Sequence, residues 1–174
     1  MVKSFLISAF ILLCSIVLES SILSNISFFY VVPDFALICL LYFSLLNGKT
    51  FGELNGFASG LFLDFITGIP FGFNCLLRTI IGYICGFFSE IIIISGVIIP
   101  ILTVGIGTIA KAILIQLISL FFPNISIYVP SIISYQFLYG FLINIALSPF
   151  VFKFLDLFKN KLSIKDVKDL VDNV

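Results

Sequence analysis

The stretch GELNGFASGLFLDFITG, residues 52–68, has glycine or aspartate at every fourth position. If it forms a helix, Gly52, Gly56, Gly60, Asp64 and Gly68 lie along one slanted ridge of the helix surface. A ridge without side chains allows the backbone of a neighbouring helix to approach closely. The stretch therefore predicts a tightly packed helix pair with one carboxylate on the contact face.

The composition indicates an integral membrane protein. The chain has 174 residues, 61% of them hydrophobic and 10% charged, with a mean hydropathy of +1.28. Soluble domains average about half apolar and about a quarter charged residues. Nine basic residues balance nine acidic residues, so there is no basic excess of the kind that nucleic-acid binding requires.

Breaks in the hydropathy divide most of the chain into six apolar segments that are separated by short turns. The predicted fold class is therefore an all-α integral membrane protein with six transmembrane helices in a domain covering residues 1–156. The predicted spans are approximately 4–24, 33–47, 51–67, 72–90, 96–122 and 130–156.

The distribution of lysines predicts the orientation. With six spans and a cytoplasmic N-terminus, all seven lysines that flank the spans lie on the cytoplasmic side, and the three outer connections contain no Lys or Arg. Both termini are therefore expected in the cytoplasm. Residues 157–174 are expected to form a separate cytoplasmic tail with apolar residues at helical spacing. This pattern fits either a short helix that lies on the membrane or frays in water, or a docking helix for a cytoplasmic partner.

The helix that follows the glycine ridge has a similar pattern. Arg78, Gly82 and Gly86 are again four residues apart, and a short turn joins the two segments. The two helices are therefore expected to be antiparallel neighbours, with Asp64 and Arg78 at similar depth. An isolated charge at the centre of a membrane costs at least about 2.5–3.5 kcal/mol, so we expect an ion pair between Asp64 and Arg78.

Four of the charges within the predicted spans are expected to form one buried network, namely Glu19, Asp64, Arg78 and Lys111. Charges inside a membrane often line a path for protons or solutes. They can also specify how helices pack. The four charges sum to zero and no further titratable chain continues across the membrane, so the packing role is favoured. Asp34 follows Pro33 at the start of the second span and is expected to cap it.

No catalytic, metal or cofactor site is predicted. The sequence has no histidine, no nucleotide-binding loop and no serine or cysteine with a recognisable activating partner. The four cysteines lie in apolar runs without paired spacing and are interpreted as packing residues. The sequence therefore argues against an enzyme.

Residues 31–88 resemble the core of the rod shape-determining protein MreD family. The matching features are a Pro-Asp at the start of a span, the glycine ridge with its aspartate, a turn with Gly-x-Asn, and a Gly-Tyr-x-x-Gly helix. The matching positions are Pro33, Asp34, Gly48, Gly56, Gly60, Asp64, Gly68, Gly72, Asn74, Gly82, Tyr83 and Gly86.

This resemblance implies a non-enzymatic scaffold of the cell-wall elongation machinery in the bacterial inner membrane. The implied partners are MreC, MreB, RodA and a class B penicillin-binding protein, together with membrane lipid. The family is also similar in helix arrangement to the substrate-binding subunits of energy-coupling-factor transporters.

That similarity leaves one alternative, a subunit that captures a small solute of the vitamin type. Such a subunit needs an outward pocket with polar and aromatic groups, and a few residues near the outer side have suitable side chains. These residues are Asn25, Tyr30, Asn74, Asn124 and Tyr128. The Ala-x3-Ala face that those subunits use toward their ATPase-driven partner is absent, since Leu13 follows Ala9 at this spacing.

Overall fold

The computed structural model describes residues 2–22, 31–68, 70–92, 94, 96–121 and 134–164. Within these residues the ordered elements are all helical, which confirms the predicted all-α class. The helices are α1 Val2–Val17, continued by a π-helical turn Leu18–Ile22, α2 Phe35–Asn47, α3 Lys49–Thr67, α4 Phe73–Phe87, α5 Ile98–Phe121, α6 Tyr135–Asp156 and α7 Lys159–Leu162.

Helix α2 forms the centre of the molecule. Every residue from Ala36 to Leu46 is buried, and α1, α3, α4, α5 and α6 all pack against this helix. A helix that is apolar on every side needs such surroundings to bury its whole surface. The start of α2 is therefore an interior position, where charged side chains from other helices can meet.

Among the described residues, three helical stretches are long and apolar enough to cross a membrane: Val2–Ser21, Ile98–Phe121 and Tyr135–Asp156. Helix α2 has 13 residues and α4 has 15. At 1.5 Å per residue α2 is about 20 Å long, shorter than the roughly 30 Å hydrocarbon core of a bilayer. The helices thus support a membrane protein, whereas six crossings stay a prediction.

Buried polar side chains join α1 to α3. The serine face of α1 includes Ser4, Ser8 and Ser15, all buried. Ser8 Oγ donates to Asn55 Oδ1 at 2.7 Å, and Asn55 Nδ2 donates to the carbonyl of Phe51. Because serine is small and the Ser8 hydroxyl has a partner on α3, α1 can pack closely on α3 at this point.

The chain after α6 returns to the end of α2. Asn47 Nδ2 donates to the carbonyl of Leu162 at 3.0 Å, and Ile164 N donates to Asn47 Oδ1 at 2.8 Å. Leu162 and Ser163 are buried. The part of the predicted amphipathic tail helix beyond residue 164 lies outside the described residues.

Candidate functional site

The glycine ridge of α3 is in direct backbone contact with α4. A Cβ atom at Gly52 would lie closer than 3.0 Å to the carbonyl of Gly82, and one at Gly82 would meet Gly52 in the same way. A Cβ atom at Gly56 would similarly meet the backbone of Arg78. Real Cβ atoms do not approach so closely, so these positions must be glycine for the two helices to touch. The same holds for Gly60 against Asn74 and Cys75, and for Gly86 against Gly48 and Lys49.

Gly68 has a different role from the one predicted. Its φ is +65°, in the left-handed region, and nothing lies within 4 Å of a Cβ atom built there. Its N–H donates to the carbonyl of Asp64 at 3.2 Å. Gly68 therefore ends α3 as a left-handed cap and is not part of the packing surface.

Asp64 binds the start of α4 from its position on α3. Its Oδ2 accepts from the backbone N–H groups of Gly72, at 2.9 Å, and Cys75, at 3.1 Å. Its Oδ1 accepts from both the backbone N–H and the side-chain Nδ2 of Asn74, each at 2.9 Å. A carboxylate from a neighbouring helix thus satisfies N–H groups that a helix start leaves without intrahelical partners.

The expected ion pair between Asp64 and Arg78 is wrong. Arg78 Nη2 donates instead to Oδ1 of Asp34 at 3.1 Å, and Lys111 Nζ donates to Oδ2 of the same carboxylate. Similar depth in the membrane was a necessary condition for the expected pair, but it does not determine which side of α4 an arginine faces. Asp34 lies on the side of α4 that packs against α2.

Asp34 is also the predicted cap of α2. Its Oδ1 accepts from the backbone N–H of Leu37 at 2.8 Å. Glu19 lies in the π-helical turn after α1. Its side chain accepts from a second backbone donor of the first turn of α2, the N–H of Ala36, at 2.8 Å. The side chains of Asp34 and Glu19 therefore accept hydrogen bonds from two backbone N–H groups at the buried start of α2, where the helix dipole favours negative charge.

These contacts define an ionic cluster of Glu19, Asp34, Arg78 and Lys111. Glu19 lies close enough to interact electrostatically with the other three members. Three members belong to the predicted network, and Asp34 takes the place assigned to Asp64. The cluster connects α1, α2, α4 and α5 around the start of the central helix.

Asn144 on α6 is a member of the site that the sequence reasoning missed. Its Oδ1 accepts from the backbone N–H of Asp34 at 3.0 Å, and the residue is buried. The available signal was a single asparagine in the middle of the apolar run FLINIALSP, since a polar side chain inside a span usually has a partner. Tyr83, one of the residues that carried the family resemblance, does not belong to this buried site, since it is 44% exposed at the surface of α4.

A cavity of about 380 Å³ adjoins the ionic cluster between α5, α6 and the start of α2. Asp34 and Lys111 line it, and their side chains are 13% and 28% exposed. The wall combines polar groups with apolar and aromatic side chains. These other residues are Val31, Val32, Leu37, Thr108, Ala112, Ile115, Gln136, Phe137, Gly140, Phe141 and Asn144. Of the outer polar residues considered for a pocket, Asn25, Tyr30, Asn124 and Tyr128 lie outside the described residues.

In the part of the chain that the structure describes, no group of three or more His, Cys, Asp or Glu side chains is placed to hold a metal ion.

A family model described as rod shape-determining protein MreD matches residues 1–158. The chain belongs to the MreD family. No curated protein and no solved structure matches it.

Membership of the MreD family gives the protein a role in rod shape determination. Several of the residues that carried the resemblance now have a structural role. In this MreD protein, Asp34 anchors the ionic cluster, while Asp64, Gly72 and Asn74 build the start of α4. The family match and the long apolar helices of this chain together indicate a membrane protein.

Proposed function

We propose that this MreD-family protein is a non-enzymatic membrane scaffold of the cell-wall elongation complex, which binds MreC and links it to the wall synthases. The observation that carries the proposal is the use of the buried polar side chains. Asp64, Asp34 and Asn55 each join two or more helices. A body whose interior polar groups hold helices together is suited to presenting a fixed surface.

The α3–α4 pair supports a rigid body. Backbone contact along Gly52, Gly56 and Gly60 leaves no space for one helix to slide on the other without a clash. At the end of the pair, Asp64 makes four hydrogen bonds to the start of α4. The hairpin therefore provides a fixed reference for the helices around it.

In this proposal the protein crosses the inner membrane six times, with both termini in the cytoplasm. Lys49, Lys153, Lys159 and Lys161 are exposed. They belong to the end of the molecule where α2 finishes, because Asn47 contacts Leu162 at the end of α7 and Ile164 just after it. The opposite end, where α2 begins, contains the ionic cluster. This separation fits the preference of lysine for the cytoplasmic side.

The proposed partners are MreC, MreB, RodA and a class B penicillin-binding protein. Exposed apolar side chains on α1 offer one surface for a partner's single span: Leu6 is 60% exposed and Phe10 is 67% exposed. They are four residues apart and therefore lie on one face of the helix. A partner helix on this face would leave the interior contacts of α1 with α3 intact.

Purification of the tagged full-length protein from native membranes in a gentle detergent tests the scaffold. Recovery of MreC together with wall synthases is the expected result, and a tagged membrane protein unrelated to the wall is the control. The variants Leu6→Ala and Phe10→Ala should lower the recovery of MreC if α1 is the contact, while the matched variants Leu138→Ala and Leu142→Ala on the exposed face of α6 should not.

The alternative function, capture of a small solute, is favoured by one observation, the cavity beside the ionic cluster. The same purification distinguishes the two. Recovery of cytoplasmic ATPases with a membrane coupling subunit, and not of MreC, would contradict the scaffold and support solute capture.

A further inference from the structure

One buried hydrogen-bond donor of the ionic cluster has no partner within the described residues. Arg78 and Lys111 share the carboxylate of Asp34, one on each oxygen. The second terminal nitrogen of Arg78, Nη1, is buried and makes no hydrogen bond within the described residues. An unpaired buried donor costs free energy, so an arrangement that gives Nη1 an acceptor would be favoured.

The unused nitrogen would be an additional donor to Asp34 in a second arrangement of the cluster. Arg78 already holds Oδ1 of Asp34 through Nη2. If Lys111 leaves Oδ2, that oxygen becomes free to accept from Nη1. Arginine and carboxylate then form a bidentate pair, the strongest geometry for these two groups. Arg78 can thus compensate Asp34 for the loss of Lys111.

Lys111 faces a space where a new acceptor can be placed. It lines the cavity of about 380 Å³, and its side chain is 28% exposed, whereas that of Arg78 is 3% exposed. Thr108, Gln136 and Asn144 provide a polar part of the wall. The remaining wall is mostly apolar and includes the rings of Phe137 and Phe141.

We propose that this cavity binds an amphiphilic anion, whose charged phosphate or carboxylate head pairs with Lys111 and whose apolar body lies against Phe137 and Phe141. On binding, Lys111 moves from Asp34 to the ligand and Arg78 takes both oxygens of Asp34. This site is independent of the scaffold role.

Three probes, each added to the full-length protein in nanodiscs, test the contributions of the charged head and the apolar body of the ligand separately. Hexadecyl phosphate has both, hexadecanol has the body alone, and inorganic phosphate has the head alone. We expect hexadecyl phosphate to raise the midpoint of thermal unfolding at a lower concentration than either of the others. An equal rise with hexadecanol would overturn the role of the charge, and an equal rise with inorganic phosphate would overturn the apolar body.

Lys111→Gln should raise the concentration of hexadecyl phosphate needed for half the effect by at least about tenfold, as expected for loss of a hydrogen bond to a charged group. Ala112→Phe should act similarly by filling the cavity without changing a charge. Lys153→Gln, an exposed lysine near the other end of the molecule, is the matched control and should bind as the unmodified protein does. Unchanged binding by Lys111→Gln would overturn the proposal.

A measurement on the unmodified protein avoids any folding defect of these variants. Hexadecyl phosphate should protect Lys111 from chemical acetylation and leave Lys153 as reactive as before, which mass spectrometry of peptides can measure. Equal acetylation of Lys111 with and without the probe would contradict the site.

Discussion

Asp64 on α3 receives two hydrogen bonds from one residue of α4, Asn74, through its backbone N–H and its side-chain Nδ2, each at 2.9 Å. This relationship positions the start of α4 at the end of the glycine ridge. The ridge determines how closely the two helices approach, and the carboxylate determines where along α3 the second helix begins. Together they explain why glycines and an aspartate share one face.

Asp64→Asn should destabilise the protein by about 1–3 kcal/mol, the cost of leaving buried donors without an acceptor. The amide has one acceptor oxygen in place of two, and its NH2 group faces backbone N–H groups. The midpoint of thermal unfolding should fall. Glu53→Gln, at an exposed position of the same helix, is the control and should stay within about 0.5 kcal/mol. An Asp64→Asn variant as stable as this control would contradict the capping role.

Double-mutant cycles should separate the two candidate partners of Arg78. The cycle of Asp34→Asn with Arg78→Gln should give a coupling energy in the range of about 0.5–3 kcal/mol, because the side chains are in contact. The cycle of Asp64→Asn with the same arginine variant should give a smaller coupling. Unfolding free energies in detergent provide both values, and the reverse order would restore the ion pair expected from the sequence.

Replacement of Gly68 and of Gly56 by asparagine should have opposite effects on folding. Gly68→Asn should fold almost normally, since asparagine tolerates the left-handed conformation and the position is open. Gly56→Asn should fail to form a stable monodisperse protein, because any Cβ there meets the backbone of Arg78. Size-exclusion chromatography of the two purified variants makes the comparison, and similar profiles would argue against backbone contact.

Asn47→Ala should release the segment after α7 without unfolding the helices. It removes the acceptor of the Ile164 N–H and the donor to the Leu162 carbonyl. Hydrogen exchange at Ile164 should become faster, while exchange in α2 changes little. Lys161→Ala, an exposed neighbour, is the control. Unaltered exchange at Ile164 would mean that other contacts hold this segment.

The six-span orientation predicts which turns leave the cytoplasm. Alkaline phosphatase, which is active only outside the cytoplasm, should be active when inserted at Gly68 and inactive at Gly48 or Gly96. A cytoplasmic fluorescent reporter at the same positions should give the opposite pattern. Phosphatase activity at Gly48 would show that the orientation is wrong.

The contact face of α3 could be predicted because it depends on local geometry. Residues four apart lie on one face of a helix whatever surrounds it, so Gly52, Gly56 and Gly60 had to form a ridge. The capping role of Asp34 was equally local, since it depends on an aspartate directly before a helix. The burial of α2 on every side was not predictable, because an all-apolar helix can face either lipid or protein.

By itself, the sequence determined the helical class, the glycine face of α3 and the presence of charges that need partners inside an apolar protein. Only the tertiary structure decided those partners. Position along a helix gives the depth of Arg78, but the packing of α4 and α5 against α2 brings Arg78 and Lys111 to Asp34. The physical reason is that this packing brings together residues that are far apart in the chain, which local sequence patterns do not specify.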